Sequence, residues 1–185
     1  MNEVIKAIKS RRSVRKYSSE QLKREDLDAI IDAGLHAPSA HNQQSWHFTV
    51  IQNKELIDEI NSAGKKVGIS HEDELIQKIV GDPNRNMFYN APTLVVVSGK
   101  DGAMMPREDC AAATQNMLIA AESIGVGSCW NGMVNFAFQG EDRLTLIKKM
   151  ELPEGYTPYY GFTLGYSEQK GGNPPKRKEG TVTYL

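Results

Sequence analysis

The sequence predicts a mixed α+β layer fold, and three observations carry that expectation. Several windows place apolar residues at helical spacing. Between them lie short β-branched or alternating runs of strand character. The two kinds alternate loosely, with no internal repeat and no interior linker, so helices and strands should pack as layers around one core. A chain of 185 residues is long enough to bury such a core as a single domain over 1–185, with 167–185 as an extended arm.

Taken in order, Val4, Ile5 and Ile8 give residues 2–10 a short apolar helical face. Leu27, Ile30, Ile31, Gly34 and Leu35 recur at i, i+3, i+4, i+7 and i+8, which predicts an amphipathic helix over 24–36. Pro38 stops it, because the residue before a proline is pushed out of helical geometry. Residues 46–52 alternate as a strand, with Trp46, Phe48 and Val50 on one face and His47 and Thr49 on the other. Leu56, Ile57, Ile60 and Ala63 mark a helix ending near Gly64. The polar stretch 65–90 holds a short helix around 72–80, broken by Gly81-Asp82-Pro83. After Pro92, the unalternating run 93–97 predicts a buried strand. The alanine-rich segment 109–124 is apolar nearly all round and is expected to run through the middle of the core, ending at Gly125 and Gly127. Residues 128–132 form a strand end or turn, Leu144, Ile147 and Met150 mark a last helix, and 159–166 is the last strand.

Composition narrows the function. Apolar residues make up 39% and charged ones 24%, and the formal net charge is -1. No overall field therefore draws in nucleic acid or an anionic membrane. No apolar run reaches the length of a membrane span. The N-terminus, interrupted by Glu3, Lys6 and Lys9, lacks the apolar core of a signal peptide. Cys110 and Cys129 suit free thiols in a reducing compartment, so a cytoplasmic protein is expected.

Three features carry chemistry. Arg11-Arg12-Ser13-Val14-Arg15 packs three guanidiniums and a hydroxyl into five positions, and guanidinium forks match phosphate oxygens at any working pH. Lys176-Arg177-Lys178 is a second cationic patch near the far end. Brought together they would form one strong anion site; apart they are two solvated basic stretches. The third feature, Pro38-Ser39-Ala40-His41-Asn42-Gln43-Gln44-Ser45-Trp46, joins a helix end to a strand start and is dense in carboxamides. Each carboxamide offers donor and acceptor together, which suits the edge of a heteroaromatic ring or an ordinary polar turn. The arm, with its run Gly171-Gly172-Asn173-Pro174-Pro175, would span roughly 60 Å if extended. Its final Thr-Val-Thr-Tyr-Leu could add a strand to a sheet edge, including one on a partner subunit.

The motifs also fall in a familiar order. A helix leads into Arg11-Arg12-Ser13-x-Arg15-x-Tyr17, and a second helix ends in Ala37-Pro38-Ser39, followed by Asn42-x-Gln44-x-Trp46. Asn90-Ala91-Pro92 precedes an apolar strand. A long helix carrying Gln115-Asn116 leads to Gly125-x-Gly127-Ser128-Cys129-Trp130, and a basic tail follows Gly165-Tyr166. Over nearly the whole chain this set resembles the nitroreductase family of flavin-dependent oxidoreductases.

The resemblance implies a central, mostly antiparallel sheet flanked by helices, with the C-terminal tail extending onto the partner of a homodimer. It implies FMN bound non-covalently at the dimer interface, NADH or NADPH as hydride donor, and a small-molecule electron acceptor such as a nitroaromatic or quinone, reduced by ping-pong turnover. By position, Arg11, Arg12 and Ser13 would contact the phosphate and ribityl chain, with Lys176 and Arg177 as further phosphate ligands. Arg15 would sit by the pyrimidine edge of the ring. Ser39 and Asn42 would come from the partner subunit, with Gln44 nearby, and Pro38 would also belong to the cofactor site. Cys129, Asn131 and Gly132 would lie against the ring, largely through backbone groups. No metal and no catalytic side chain is implied; nothing in the sequence gives His41 or Cys129 a chemical partner. Ser45 stands where the family usually has proline, which implies a looser turn. Asn84 could match a family ligand, but Met87 stands where a lysine would follow it. Lys65, Lys66 and Arg85 are the candidate cations for a 2′-phosphate. The alternatives are a flavin-dependent dehalogenase or a flavin-fragmenting enzyme, a flavin-binding redox module without turnover, and an anion-binding domain without flavin.

Overall fold

The computed structural model describes residues 2–169 and 174–185. Its strands are β1 (Trp46–Ile51), β2 (Thr93–Lys100), β3 (Gly127–Trp130) and β4 (Tyr156–Gly165). Its helices are α1 (Glu3–Ser10), α2 (Arg24–Leu35), α3 (Lys54–Gly68), α4 (Glu74–Gly81), α5 (Pro106–Ser123) and α6 (Arg143–Lys149). The strands form one antiparallel sheet in the order β1-β2-β4-β3. This is the α+β architecture that the alternating patterns predicted.

The sheet is buried on both faces because β2 is apolar at successive positions. Leu94 and Val96 point into one cluster with Ile57 and Ile60 of α3, Leu146 of α6, and Val134 of the 3-10 segment Gly132–Phe138. Val95 and Val97 point into the other, with Ile30 of α2 and Met117 of α5. Trp46, Phe48 and Val50 share that second face, as the alternation of β1 required.

Several boundaries correct the sequence-based expectation, each for a physical reason. Helix α3 runs on past Gly64 to Gly68. A Cβ at Gly64 would lie 2.5 Å from Met87 Cε, so this glycine admits close packing and does not end the helix. Helix α5 starts at Pro106, a residue suited to the first helical turn because its missing N–H has no partner there anyway. It does not pass through the middle of the core. One face packs on the sheet and α2, while Ala111, Ala112, Ile119 and Ala120 are half-buried. Strand β4 begins at Tyr156 and tolerates Pro158 because it sits beside a bulge in β4, where Tyr159 is the extra residue opposite Val97 and Ser98 of β2 and the ladder is already interrupted.

No strand follows Gly165 among the described residues, and residues 174–185 are exposed. The Gly171-Gly172-Asn173 run lies outside the described residues. Among those described, no helix is long and apolar enough to cross a membrane.

Candidate functional site

The arginine segment leaves α1 in extended backbone and lies along the free edge of β3. Val14 N–H donates to the Ser128 carbonyl at 2.9 Å, and Ser13 bridges Ser128 in parallel. Tyr17 locks the next turn: its hydroxyl donates to the Val14 carbonyl (2.7 Å) and shares a 2.8 Å hydrogen bond with Thr163 of β4. Burial pushes that phenol well above its ordinary pKa. Ser13 and Tyr89 thereby come within reach of the Cys129 thiol, which also feels the positive charges of Arg11 and Arg15.

Arg15 lies over the Tyr89 ring, 5.9 Å from its centroid. Hydrogen bonding to Tyr89 raises its already high pKa, against a smaller opposing effect of burial, so the charge is permanent. Arg12 points elsewhere. Its Nη1 donates to the carbonyls of Lys9 (2.8 Å) and Arg11 (2.7 Å), closing the C-terminal end of α1 where carbonyls lack intrahelical partners. Its buried Nε has no partner. The buried Cys129 thiol lies 3.5 Å from the Trp130 carbonyl; burial pushes its pKa up, and the nearby cations only partly offset that.

Asn131 is a tether. Its backbone N–H donates to Gly161 (2.8 Å), its Nδ2 donates to the Met87 carbonyl (2.6 Å), and its Oδ1 accepts from Met133 N–H (3.0 Å). These bonds fasten β3 to β4 and to the segment carrying Tyr89. Beside it, Gly132 is exposed, and a Cβ there would meet open space. Met87, where a lysine was of interest, is fully buried. Lys65 donates to the Asp82 carbonyl and Lys66 pairs with Asp142, so two of the three candidate 2′-phosphate cations have partners in the fold, while Arg85 is exposed.

The amide loop is a separate construction. His41, Asn42 and Gln44 all have left-handed backbone, with φ of 49, 54 and 47°. Such residues are costly unless glycine, by about 1–2 kcal/mol each, with asparagine the most tolerant. The surrounding structure holds the strain: Gln44 N–H donates to Ser39 Oγ (2.9 Å), Gln44 Nε2 to Asn42 Oδ1 (3.1 Å), and Met104 N–H to Gln43 Oε1 (2.9 Å). Ser45 does not loosen this turn, contrary to expectation. It is buried, its hydroxyl donates to Asp109 Oδ2 at 2.7 Å, and its carbonyl accepts from Lys100 N–H. Pro38, Asn42 and Gln44 remain exposed and Ser39 half-buried.

Among the described residues no hydrogen bond or ion pair joins this loop to the arginine segment. The tail leaves the body beside the arginines. Tyr17 bridges Ser167, Arg15 N–H donates to Gln169 Oε1 (3.0 Å), and Lys16 pairs with Glu168 (3.3 Å). Farther along, Lys176 pairs with Glu179 of the tail itself, and Lys176 and Arg177 are exposed. Sequence reasoning missed Tyr89 and Asp109. The available signals were an aromatic next to Asn90-Ala91-Pro92 and an acid in the first turn of the alanine-rich helix.

Comparison with known proteins places this arrangement. The sequence profile described as "Nitroreductase family" matches residues 8–166. A protein of Methanothermobacter thermautotrophicus, provisionally described as NADH dehydrogenase/NAD(P)H nitroreductase, is 31% identical over 175 residues, covering 92% of this chain and 80% of the relative. An FMN reductase [NAD(P)H] of Bacillus subtilis is 29% identical over 189 residues, covering 100% of this chain and 74% of the relative. A crystal structure of a nitroreductase with bound FMN from Bacteroides fragilis superposes with a TM-score of 0.91 at 33% identity, over 100% of both chains.

Proposed function

The chain belongs to the nitroreductase family, and from that membership we propose that it reduces electron-poor acceptors such as nitroaromatics and quinones by ping-pong turnover in a homodimer. It is an NAD(P)H-dependent flavin oxidoreductase, and FMN is its cofactor.

The residues on β3 and its neighbours fit that cofactor. The arginine segment offers guanidinium and hydroxyl donors in a row, which is the chemistry a phosphate and a polyol chain require. Gly132 leaves room for a flat ring to approach the backbone. The buried, unpartnered Arg12 Nε and Ser128 Oγ are polar atoms on the same segment pair that still lack partners. The single observation that carries the reading is the docking of the arginine segment on the free edge of β3, where Ser13 bridges Ser128 and Val14 N–H donates to the Ser128 carbonyl, next to the buried Cys129.

FMN, when bound, supplies the hydride chemistry. The protein's part is binding and electrostatics. Arg11 and Ser13 hold the phosphate end, joined by Lys176 and Arg177 of the tail. Arg15 fixes a permanent positive charge at the ring edge, where added electrons would place negative charge. Ser39, Asn42 and Gln44 of the partner subunit present amide and hydroxyl groups to the other side. Alternating occupancy of one pocket by nicotinamide and acceptor needs no general base, so no side chain is assigned a catalytic proton transfer. Two buried free thiols fit a reducing cytoplasm.

The test is retention of flavin. Arg11→Ala combined with Arg177→Ala should abolish FMN retention through dialysis, read as loss of visible flavin absorbance, with an unchanged far-ultraviolet circular dichroism spectrum. Undiminished flavin content would remove the phosphate assignment. Steady-state rates with nitrofurazone, a quinone and a halotyrosine then separate acceptor reduction from dehalogenation.

A further inference from the structure

We propose that Asp109 is a positioning residue, the buried carboxylate that fixes the amide loop in the shape presented to the cofactor. The inference rests on the proposed role of that loop as one wall of the flavin site.

Asp109 lies in the first turn of α5 and is only 3% exposed. Among the described residues it has no cationic partner; the donors that reach it come from the loop. Its Oδ1 accepts from Ala40 N–H at 2.9 Å, and its Oδ2 accepts from the Ser45 hydroxyl at 2.7 Å. A buried carboxylate is tolerated only when its oxygens are hydrogen-bonded, and an ionised one can only accept. Both loop donors must therefore converge on one rigid group.

The placement of those donors gives the carboxylate its function. Ala40 and Ser45 bracket the three left-handed residues His41, Asn42 and Gln44. Pinning both ends to one carboxylate sets the span of the arch between them. A free loop of this composition would relax toward ordinary negative φ, because non-glycine residues resist the left-handed region. Relaxation would turn Asn42 and Gln44 away from their present directions without removing any of their polar groups. The helix contributes as well, since the first turn of α5 favours a negative charge at this position.

The experiment uses the full-length protein with Asp109→Ala, Asp109→Asn and Ser45→Ala. Amide hydrogen exchange is measured on the flavin-free form, and FMN affinity by fluorescence titration of the same samples. Asp109→Ala should speed exchange across residues 40–45 at least about tenfold while sheet amides keep their protection, and should weaken FMN binding by about tenfold or more, the scale of one lost buried hydrogen bond to a charged group. Asp109→Asn should restore both to within about threefold of wild type, because a carboxamide oxygen can accept from Ala40 while its NH2 donates to Ser45 Oγ. Ser45→Ala should fall between. If Asp109→Ala does not fold, the Asn and Ser45→Ala variants give the same readouts. Lower melting temperatures with unchanged loop exchange and unchanged FMN affinity would overturn the proposal and leave Asp109 a purely structural residue. Asn42→Ala and Gln44→Ala separate the two ideas. If they leave FMN affinity untouched, the flavin-wall reading fails, while the exchange data still decide whether Asp109 shapes the loop.

Discussion

Cys129 sits among cations and yet remains a thiol. Arg15, Ser13, Arg11 and Tyr89 each favour the thiolate, but burial outweighs them and the pKa rises. A protonated, buried sulfur is neither a nucleophile nor a ready target of alkylation. The sign of its linkage follows: the unfolded thiol, near pKa 9.0, ionises before the folded one. Its contribution to stability is thus complete below about pH 9 and is lost as pH climbs through the folded value. Cys129→Ala should keep NAD(P)H oxidation within about threefold and should flatten the alkaline fall in melting temperature relative to wild type. A loss of turnover beyond a hundredfold would instead make the sulfur a participant. At this scale legibility was uneven. The cluster Arg11-Arg12-Ser13-Val14-Arg15 stood out as a possible anion site from its chemistry, but only the order of the motifs along the chain gave its residues roles. Asp109 could not be read, because an acid in a first helical turn is ordinarily solvated, and only the fold shows that the amide loop covers it. The tethering side-chain bond of Asn131 to Met87 was not legible either, because Met87 lies far along the chain.

Glycine is where element-level reading went astray. In sequence it reads as punctuation, which is right at Gly125, whose φ of 78° ends α5. Gly64 and Gly161 serve a different purpose. Gly161, in the middle of β4, brings the 3-10 segment down onto the sheet: a Cβ there would lie 2.7 Å from Val134 Cγ1 and 3.0 Å from Val134 Cβ. Val134 is fully buried and β-branched, so it cannot swing aside. The Gly161 carbonyl also holds Asn131, so a shift in β4 is felt beside Gly132. Gly161→Ala should cost about 1–3 kcal/mol, lowering the melting temperature by roughly 3–10 °C. Adding Val134→Ala should recover part of that loss, since it removes Cγ1 and Cγ2, two of the three atoms in conflict. A double variant no more stable than the single one would place the strain elsewhere. The periodic helices and the β-branched strands were legible because their spacing is intrinsic. Packing glycines were not, because their reason lies in a residue far along the chain.

One face of the molecule as a whole carries exposed apolar side chains. Helix α1 has eight residues, too few to be stable alone in water, and buries only Ala7. Val4, Ile5 and Ile8 are 61, 41 and 46% exposed, and Val4 and Ala7 border a groove that continues to Ile119 of α5. Three apolar side chains on a short exposed helix are a costly surface unless a second copy covers them. The proposed site points the same way. Among the described residues its arginine half and its amide half have no direct bond, and Lys176 and Arg177 of the tail have no partner in the body. A homodimer that buries α1 would account for all three facts, and Ile8→Asp tests it. In an isolated subunit this surface change should alter stability by no more than about 0.5 kcal/mol. In a dimer it places a carboxylate in the apolar contact. Sedimentation velocity should then show monomers, with flavin lost in proportion, while circular dichroism of the subunit is unchanged. A variant that stays dimeric and flavin-replete would move the interface off α1 and leave its apolar face to another partner.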